Sequence, residues 1–296
     1  MMKMPLSSYQ SNIFSQFGED GVIREILQRI SLMTKLNFWC VEFGAWDGLH
    51  LSNTSNLIKE QGYKAVLIEG NKKRVTQLCQ NFPEESVVKI QRFVQFEGED
   101  SLDNILSSTQ IPFDFDFLSI DIDGNDYHIF QSLQNYTPKV ICIEFNPTIP
   151  NMIDYVNPRD FKIKKGSSAK SLVRLANSKG YRLVASTKAN LFFVHANFAD
   201  SVIDFPTSLE ELNQVGNDPQ YIWSGFDGSL MSNKEIVTLA WHLAVPIERV
   251  QVVPKFLRQF SEDYNFFKKL IFLLFLFKND FRQTYSKLIS YLRKKR

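Results

Sequence analysis

The stretch FWCVEFGAWDGLHLSNTSNLIKEQGYKAVLIEG, residues 38–70, decides the fold predicted for this chain. Its hydrophobic pattern predicts a strand, a glycine turn at Gly44, a helix and a second strand. Ser52 to Thr54 provide caps for the helix, and Gly62 ends it. Glu69 closes the second strand. In a parallel strand–helix–strand unit, glycines let the backbone approach a ligand, and a carboxylate after the second strand binds ribose hydroxyls. The stretch therefore predicts a nucleoside site.

The rest of the chain continues the alternation of strands and helices. We predict a first helix over 15–30, later helices over 72–82, 101–108, 127–133 and 169–178, and strands over 86–93, 115–122, 139–145, 181–186 and 190–195. Alternation predicts a parallel sheet covered by helices on both faces. The last two strands have only a short connection, so we expect them to form an antiparallel hairpin. Beyond them, the pattern over 234–244 predicts another helix.

Composition limits the partners of the protein. The chain has 296 residues, is 44% hydrophobic and carries a net charge of +2, which suits one large domain with an appendage. Residues 255–296 contain eleven Lys or Arg and three Asp or Glu, a net +8, which leaves −6 on the remainder. We therefore expect no nucleic-acid partner. Three widely spaced cysteines and no apolar leader segment predict a reduced, cytoplasmic protein without a zinc site.

Acidic and amide side chains follow several predicted strands. The segments LSIDIDGNDY and ICIEFN end strands four and five, and with the first two strands they supply Glu42, Glu69, Asp121, Asp123, Asp126, Glu144 and Asn146. Carboxyl ends of parallel strands meet at one edge of a sheet, where ligands bind. The mutual repulsion of these acids requires a cation, either a sulfonium ligand or an oxygen-ligated divalent metal. Taken singly, the glycines are also ordinary turn residues, the aspartates loop caps, and His50 and His128 idle surface groups.

The assembled pattern resembles the FkbM-type branch of S-adenosylmethionine-dependent methyltransferases. VEFGAWDGLHLSNT followed by VLIEGN resembles the first two motifs of that family, and FLSIDIDGND with VICIEFN resembles the fourth and fifth. GSSAKSLVRLANSKGYRLV followed by NLFFV resembles its closing helix and hairpin. The resemblance covers roughly residues 15–198 and implies an α/β fold: a Rossmann-like class I methyltransferase sheet, mostly parallel with an antiparallel hairpin, plus a helical extension. The family's first loop has three closely spaced glycines, whereas Trp46 and Asp47 intervene here.

The resemblance also implies roles for individual residues. The cofactor S-adenosylmethionine is expected to contact Glu42, Gly44, Ala45, Asp47, Glu69, Asn71 and Asp121, with Asp121 nearest the methyl group. The candidates for the general base are Asp121, Asp126 and His128, and the sequence does not choose among them. In the related macrocin-type sugar methyltransferases, acids after strands four and five hold Mg²⁺. That implies a magnesium site here made by Asp123, Asp126, Glu144 and Asn146.

The function implied is methylation of a hydroxyl oxygen on a sugar or glycan, of which a lipid-linked glycan is one form. The alternative is a non-catalytic binding protein on a methyltransferase scaffold, peripherally associated with a membrane. A nicotinamide enzyme is disfavoured, because the first loop lacks GxGxxG spacing.

The remaining segments give three expected parts of the chain. Residues 1–199 form the methyltransferase core, 200–262 help to shape the acceptor site through Trp223, Phe226 and Asp227, and 263–296 form a basic amphipathic helical region. Within 265–296, one helical face carries Phe281, Tyr285, Leu288, Ile289 and Leu292 with cations around it. That pattern predicts a helix at the inner membrane surface, and docking on the protein's own core or on a second subunit is the other interpretation.

Overall fold

The computed structural model describes residues 3–204, 207–214, 219–239 and 243–294. The chain divides into two compact units, Met1–Pro219 and Gln220–Arg296, which are described separately below. The expected functional boundaries after residues 199 and 262 stay a prediction.

The first unit contains a seven-stranded sheet with the order β3-β2-β1-β4-β5-β7-β6. Strands β1 to β5 are parallel, and β7 runs antiparallel to both β5 and β6. The predicted parallel sheet with a closing hairpin is therefore confirmed. The strands are β1 Trp39–Phe43, β2 Lys64–Glu69, β3 Val87–Gln91, β4 Phe117–Ile120, β5 Val140–Glu144, β6 Tyr181–Ser186 and β7 Asn190–His195.

Helices cover both faces of this sheet, as continuous apolar strands require. Val41 and Phe43 of β1 belong to the hydrophobic core on one face, whereas Cys40 belongs to the core on the other. Several of the helices have a side-chain N-cap. The Ser168 hydroxyl, for example, accepts a hydrogen bond from the Ser171 amide. The helices are α1 Glu19–Ser31, α2 Ser55–Gln61, α3 Lys72–Asn81, α4 Leu102–Ser107, α5 Asp126–Ser132, α6 Ala169–Ser178, α7 Ala196–Val202 and α8 Leu209–Leu212.

The strand order reverses between β1 and β4, and there the two following loops come into close contact. Gly44, directly after β1, has φ +76°, and a Cβ atom on it would lie 1.9 Å from the carbonyl oxygen of Asp121, directly after β4. The amides of Gly44 and Ala45 both donate to the carbonyl oxygen of Ile68 near the end of β2. The glycine turn thus ties the ends of three neighbouring strands together at the point where such folds bind ligands.

The described residues of the second unit contain two small hairpins and two α-helices. The hairpins pair β8 Ile222–Ser224 with β9 Leu230–Ser232 and β10 Ile236–Thr238 with β11 Ala244–Pro246. The prediction of a helix over 234–244 is wrong for the described residues, because the β-branched run Ile236–Thr238 pairs as a strand. Residues 240–242 of that range lie outside the described residues. The helices are α9 Phe266–Asn279 and α10 Phe281–Lys294. Among the described residues, every helix is too short or too polar to cross a membrane.

Replacement of Gly44 by alanine tests the contact between the loops. Gly44→Ala adds both an unfavourable left-handed backbone conformation and a clash with a backbone oxygen. Gly62 provides the control, because its φ is +69° and a Cβ there meets no atom within 4 Å. We expect Gly62→Ala to cost about 1 kcal/mol of unfolding free energy and Gly44→Ala at least about 2 kcal/mol more, measured by urea denaturation. Equal losses would contradict the close approach.

Candidate functional site

A cavity of about 610 Å³ opens at the carboxyl ends of the parallel strands in the first unit. Its walls come from the loops that follow β1, β2, β3 and β4, and from the long loop between β5 and α6. The lining residues are Glu42, Gly44, Ala45, Trp46, His50, Leu51, Ser52, Glu69, Gly70, Arg92, Phe93, Val94, Gln95, Asp121, Ile122, Asp123, Phe161 and Lys164. Five of the seven residues expected to contact a cofactor therefore line one cavity: Glu42, Gly44, Ala45, Glu69 and Asp121.

Glu69 is held at the cavity wall by two backbone amides. Its Oε2 atom accepts a hydrogen bond from the Trp46 amide at 2.9 Å, and its Oε1 atom accepts one from the Asn71 amide at 2.7 Å. A carboxylate has about four acceptor positions, so these bonds leave room on both oxygens. The carboxylate is thus oriented by the protein and is still able to accept hydrogen bonds from a ligand.

Glu42 lies deeper and is fully engaged by the segment that precedes α2. Its oxygens accept hydrogen bonds from the Ser52 hydroxyl at 2.6 Å, the Thr54 hydroxyl at 2.7 Å and the Asn53 amide at 2.9 Å. Burial raises the pKa of Glu42, and these hydrogen bonds oppose that rise. Glu42 therefore fixes the shape of the cavity floor by pinning the start of α2 to β1.

Asp121, Asp123 and Glu144 bring one carboxylate oxygen each to within 4.8 Å of one another. Burial, then the neighbouring carboxylates beginning with Asp121, raise the pKa of Glu144 to about 9. Burial, then Asp126 and Asp123, raise the pKa of Asp121 to about 7. These shifts are the physical cost of gathering acids at one edge of the sheet. The cluster therefore contains two of the four residues expected to bind metal, Asp123 and Glu144. Its third residue is Asp121.

The other predicted site residues form hydrogen bonds with backbone groups of the surrounding loops. Asp126 accepts hydrogen bonds from the amides of Ile122 and Gly124, and burial raises its pKa to about 6. The His128 ring contacts the carbonyl oxygen of Asn157 at 2.7 Å. Neither side chain lines the cavity.

Three further candidates are likewise occupied by backbone groups. Asp47 accepts hydrogen bonds from the amides at 49 and 50, and Asn71 caps α3 by accepting from the amides at 73 and 74. Asn146 accepts from the amide and hydroxyl of Thr148 and donates to the carbonyl oxygen of Lys165. The structure places Asp47 and Asn71 outside the cavity wall and Asn146 outside the carboxylate cluster.

Backbone strain is concentrated at the cavity. Among the described residues other than glycine, Phe38, Trp46, Leu51 and Asp123 have positive φ, between 51° and 57°. All except Phe38 line the cavity. Left-handed conformations of bulky residues are energetically unfavourable and are retained mainly at functional sites, so their position supports a ligand-binding role for this cavity.

Several cavity residues were not anticipated from the sequence. Phe93 is 68% exposed, and its ring packs so closely over Gly70 that a Cβ there would lie 2.1 Å from it. Its position two residues beyond β3, at the end of the strand predicted over 86–93, was the available signal. Phe161 belongs to the loop between β5 and α6 and stacks on Phe96 with ring centroids 4.3 Å apart. That loop is distant in sequence and carries no periodic pattern, so nothing in the sequence indicated that it reaches the cavity.

The residues expected to shape an acceptor site lie in the second unit. Trp223 belongs to β8, and Phe226 and Asp227 lie in the turn between β8 and β9. Trp223 is 46% exposed and Phe226 98% exposed. The Asp227 carboxylate accepts hydrogen bonds from the amide and hydroxyl of Ser229 and so stabilises the turn.

Comparison with solved structures finds distant similarity to methyltransferases. TrmK of M. capricolum, solved with S-adenosyl-homocysteine, is 14% identical with a TM-score of 0.34 over 57% of this chain and 65% of that chain, under two thirds of its length. A putative S-adenosylmethionine-dependent methyltransferase from Listeria monocytogenes is 8% identical, with a TM-score of 0.37 over 58% and 98% of the two chains. A methyltransferase from Aquifex aeolicus is 13% identical, with a TM-score of 0.36 over 64% and 97%. No family model and no curated protein matches the chain. The strand order of the sheet, with its antiparallel β7, is that of the class I methyltransferase fold.

The raised pKa of Glu144 predicts a pH dependence of stability. The folded protein holds a proton on Glu144 up to about pH 9, whereas an unfolded glutamate releases it near its ordinary pKa of 4.5. Between these values the folded state binds more protons, so stability falls as pH rises. We expect Glu144→Gln to flatten the decline of the melting temperature between these two pKa values, measured with a chelator present. Glu85→Gln, on an exposed loop, is the control. An unchanged slope in Glu144→Gln would contradict the assignment.

Proposed function

We propose that this protein is an FkbM-type methyltransferase that transfers the methyl group of S-adenosylmethionine to a hydroxyl oxygen of a sugar or glycan. The observation that carries the proposal is the shared cavity. The Gly44–Ala45 turn, the oriented carboxylate of Glu69 and the acid Asp121 line it together, at the point where the strand order reverses. The sequence motifs that resemble the FkbM-type family lie around the same edge of the sheet.

The cavity suits the nucleoside part of the cofactor. Its volume of about 610 Å³ lies within the roughly 300–1,000 Å³ typical of small-ligand sites. Glu69 has free acceptor positions for the two ribose hydroxyls. The exposed ring of Phe93, next to Gly70 after β2, offers a flat apolar surface for the adenine. These contacts bind the part of the cofactor that does not react.

The carboxylates of the cavity favour binding of S-adenosylmethionine over binding of its demethylated product. S-adenosylmethionine carries a sulfonium cation, which carboxylates such as Asp121 attract. In the reaction the acceptor oxygen attacks the methyl carbon, the bond between carbon and sulfur breaks, and the electron pair stays on a neutral sulfur. The product therefore loses the attraction that the substrate had, which favours product release.

Asp121 is the base in this proposal. Among Asp121, Asp126 and His128, it alone lines the cavity, whereas the other two bind backbone groups. Removal of the hydroxyl proton by a positioned base contributes about 10²–10⁴ in rate. Alignment of the two substrates in one cavity contributes a further ~7–11 kcal/mol to lowering the barrier.

Alternatively, with Asp121 acting as a ligand instead of a free base, Asp121, Asp123 and Glu144 fit a divalent cation such as Mg²⁺. They are oxygen donors, the type that Mg²⁺ prefers, and one oxygen from each lies within 4.8 Å of the others. A bound cation would lower the pKa of a coordinated sugar hydroxyl. On this assignment Asp126 and Asn146 hold the adjoining loops, instead of binding the metal as the sequence resemblance implies.

Glu69→Gln tests cofactor binding. Because the neutral amide accepts weaker hydrogen bonds than a carboxylate, we expect the affinity for S-adenosylmethionine to fall about 10- to 100-fold in isothermal titration calorimetry. Glu60→Gln, the same change on the exposed side of α2, should bind like the wild type. Absence of heat with the wild-type protein would instead favour a non-catalytic binding protein for a different ligand.

Asp121→Asn separates chemistry from binding. We expect turnover to fall at least about 100-fold while S-adenosylmethionine still binds, because the base is lost and the ribose contacts remain. His128→Gln should keep most of its turnover. Release of S-adenosylhomocysteine with a panel of free sugars is the measurement, repeated after removal of divalent cations and after Mg²⁺ is restored. Full turnover in Asp121→Asn would exclude Asp121 as the base, and insensitivity to the chelator would exclude the cation.

A further inference from the structure

One side of α9 in the second unit is apolar and exposed. It carries Phe266, Phe267, Leu270, Ile271 and Leu274, which are between 42% and 76% exposed. Their spacing of one, four, five and eight residues along a helix of 3.6 residues per turn places them within a single arc. These five residues are called the apolar face below. Large contiguous apolar surfaces of this kind mark interaction sites.

The opposite side of α9 is held by the second unit itself. Phe272 packs edge-on against Tyr264, with ring centroids 5.4 Å apart. Tyr264 is buried, and its hydroxyl donates to the carbonyl oxygen of Leu257. Tyr264 therefore holds α9 at Phe272, on the side of the helix opposite to the apolar face.

Basic side chains surround the apolar face. Lys268 and Lys269 lie at its beginning and Lys278 beyond its end, and Lys269 and Lys278 are exposed. The Nζ atom of Lys268 donates to the side-chain oxygen of Gln259 at 2.6 Å. The net +8 of residues 255–296 adds to this positive field. An apolar stripe bordered by lysines complements a surface that is apolar inside and anionic outside.

We propose that α9 lies in the interface of an anionic lipid membrane, with the apolar face in the acyl boundary and the lysines at the headgroups. The helix has 14 residues, about 21 Å, whereas a span requires about 30 Å of hydrocarbon core. A second copy of this chain is a poorer occupant, because it would bring the same excess of positive charge to the contact. Anionic lipid neutralises that charge.

Aromatic side chains also connect the end of α9 with the beginning of α10. Phe277 contacts Phe281 with ring centroids 5.8 Å apart, and Phe281 stacks on Tyr285 at 5.9 Å. Phe281 and Tyr285 are 62% and 53% exposed. Leu288 and Leu292, expected from the sequence on the same face, lie outside the residues whose side chains the structure describes.

Vesicle flotation of the full chain tests the membrane proposal. We expect the wild type to float with vesicles of phosphatidylcholine and phosphatidylserine, and much less with phosphatidylcholine alone. The double variant Phe267→Gln/Leu274→Gln removes the centre of the apolar face without changing charge, and it should lower partitioning at least about tenfold. The pair Leu32→Gln/Met33→Gln makes a matched change at exposed residues of the first unit and should float like the wild type.

A second variant tests the charges independently. Lys269→Gln/Lys278→Gln should weaken flotation with anionic vesicles and reduce its sensitivity to salt. Circular dichroism and melting curves verify that each variant is folded. The proposal is wrong if the wild type does not float, or if Phe267→Gln/Leu274→Gln floats equally well. Analytical ultracentrifugation separates the other possibility. If the wild type does not float and is a dimer, and Phe267→Gln/Leu274→Gln is a monomer, the apolar face binds a second copy and the membrane proposal is wrong.

Discussion

The close contact between the loops after β1 and β4 is the constraint on which the candidate site depends. It requires a residue without a side chain at Gly44, because the Asp121 carbonyl oxygen occupies the space where a Cβ would lie. The same turn is hydrogen-bonded to Ile68, so the ends of β1, β2 and β4 are fixed relative to one another. The acids that follow these strands are consequently forced to share one edge of the sheet.

That arrangement has an electrostatic cost, which the protein meets differently at different acids. The charge on Glu42 is offset by two hydroxyls and an amide. At Asp121 and Glu144, burial and then the neighbouring carboxylates dominate, and the pKa values rise to about 7 and about 9. A positively charged ligand or a divalent cation would replace the bound protons and stabilise the charged carboxylates. The repulsion among these carboxylates therefore favours binding of a positively charged ligand.

The sequence predicts the sheet well because buried parallel strands are short apolar runs with clear ends. The same clarity predicts that Gly44, Glu69 and Asp121 lie at strand ends, and the structure places all three in the cavity wall. The sequence pattern does not predict the direction in which side chains point within loops. Asp126 and Asn146 follow the predicted strands, and both side chains accept hydrogen bonds from nearby backbone amides.

Two other differences have a similar origin. Phe161 and Lys164 reach the cavity through a long irregular loop whose path depends on tertiary contacts such as the Phe96–Phe161 stack. The run beginning at Ile236 has an apolar pattern compatible with a helix or a strand, and pairing with Ala244–Pro246 decides for the strand. The local hydrophobic pattern therefore predicts the structure of regular helices and strands. It does not predict the structure of segments whose conformation depends on contacts with distant parts of the chain.

A crystal structure with S-adenosylhomocysteine tests the central claim most directly. The account predicts the nucleoside in the cavity between the loops after β1 and β3, with both ribose hydroxyls within hydrogen-bond distance of the Glu69 carboxylate and the sulfur directed toward Asp121. A ligand bound elsewhere, or a ribose that does not contact Glu69, would contradict it.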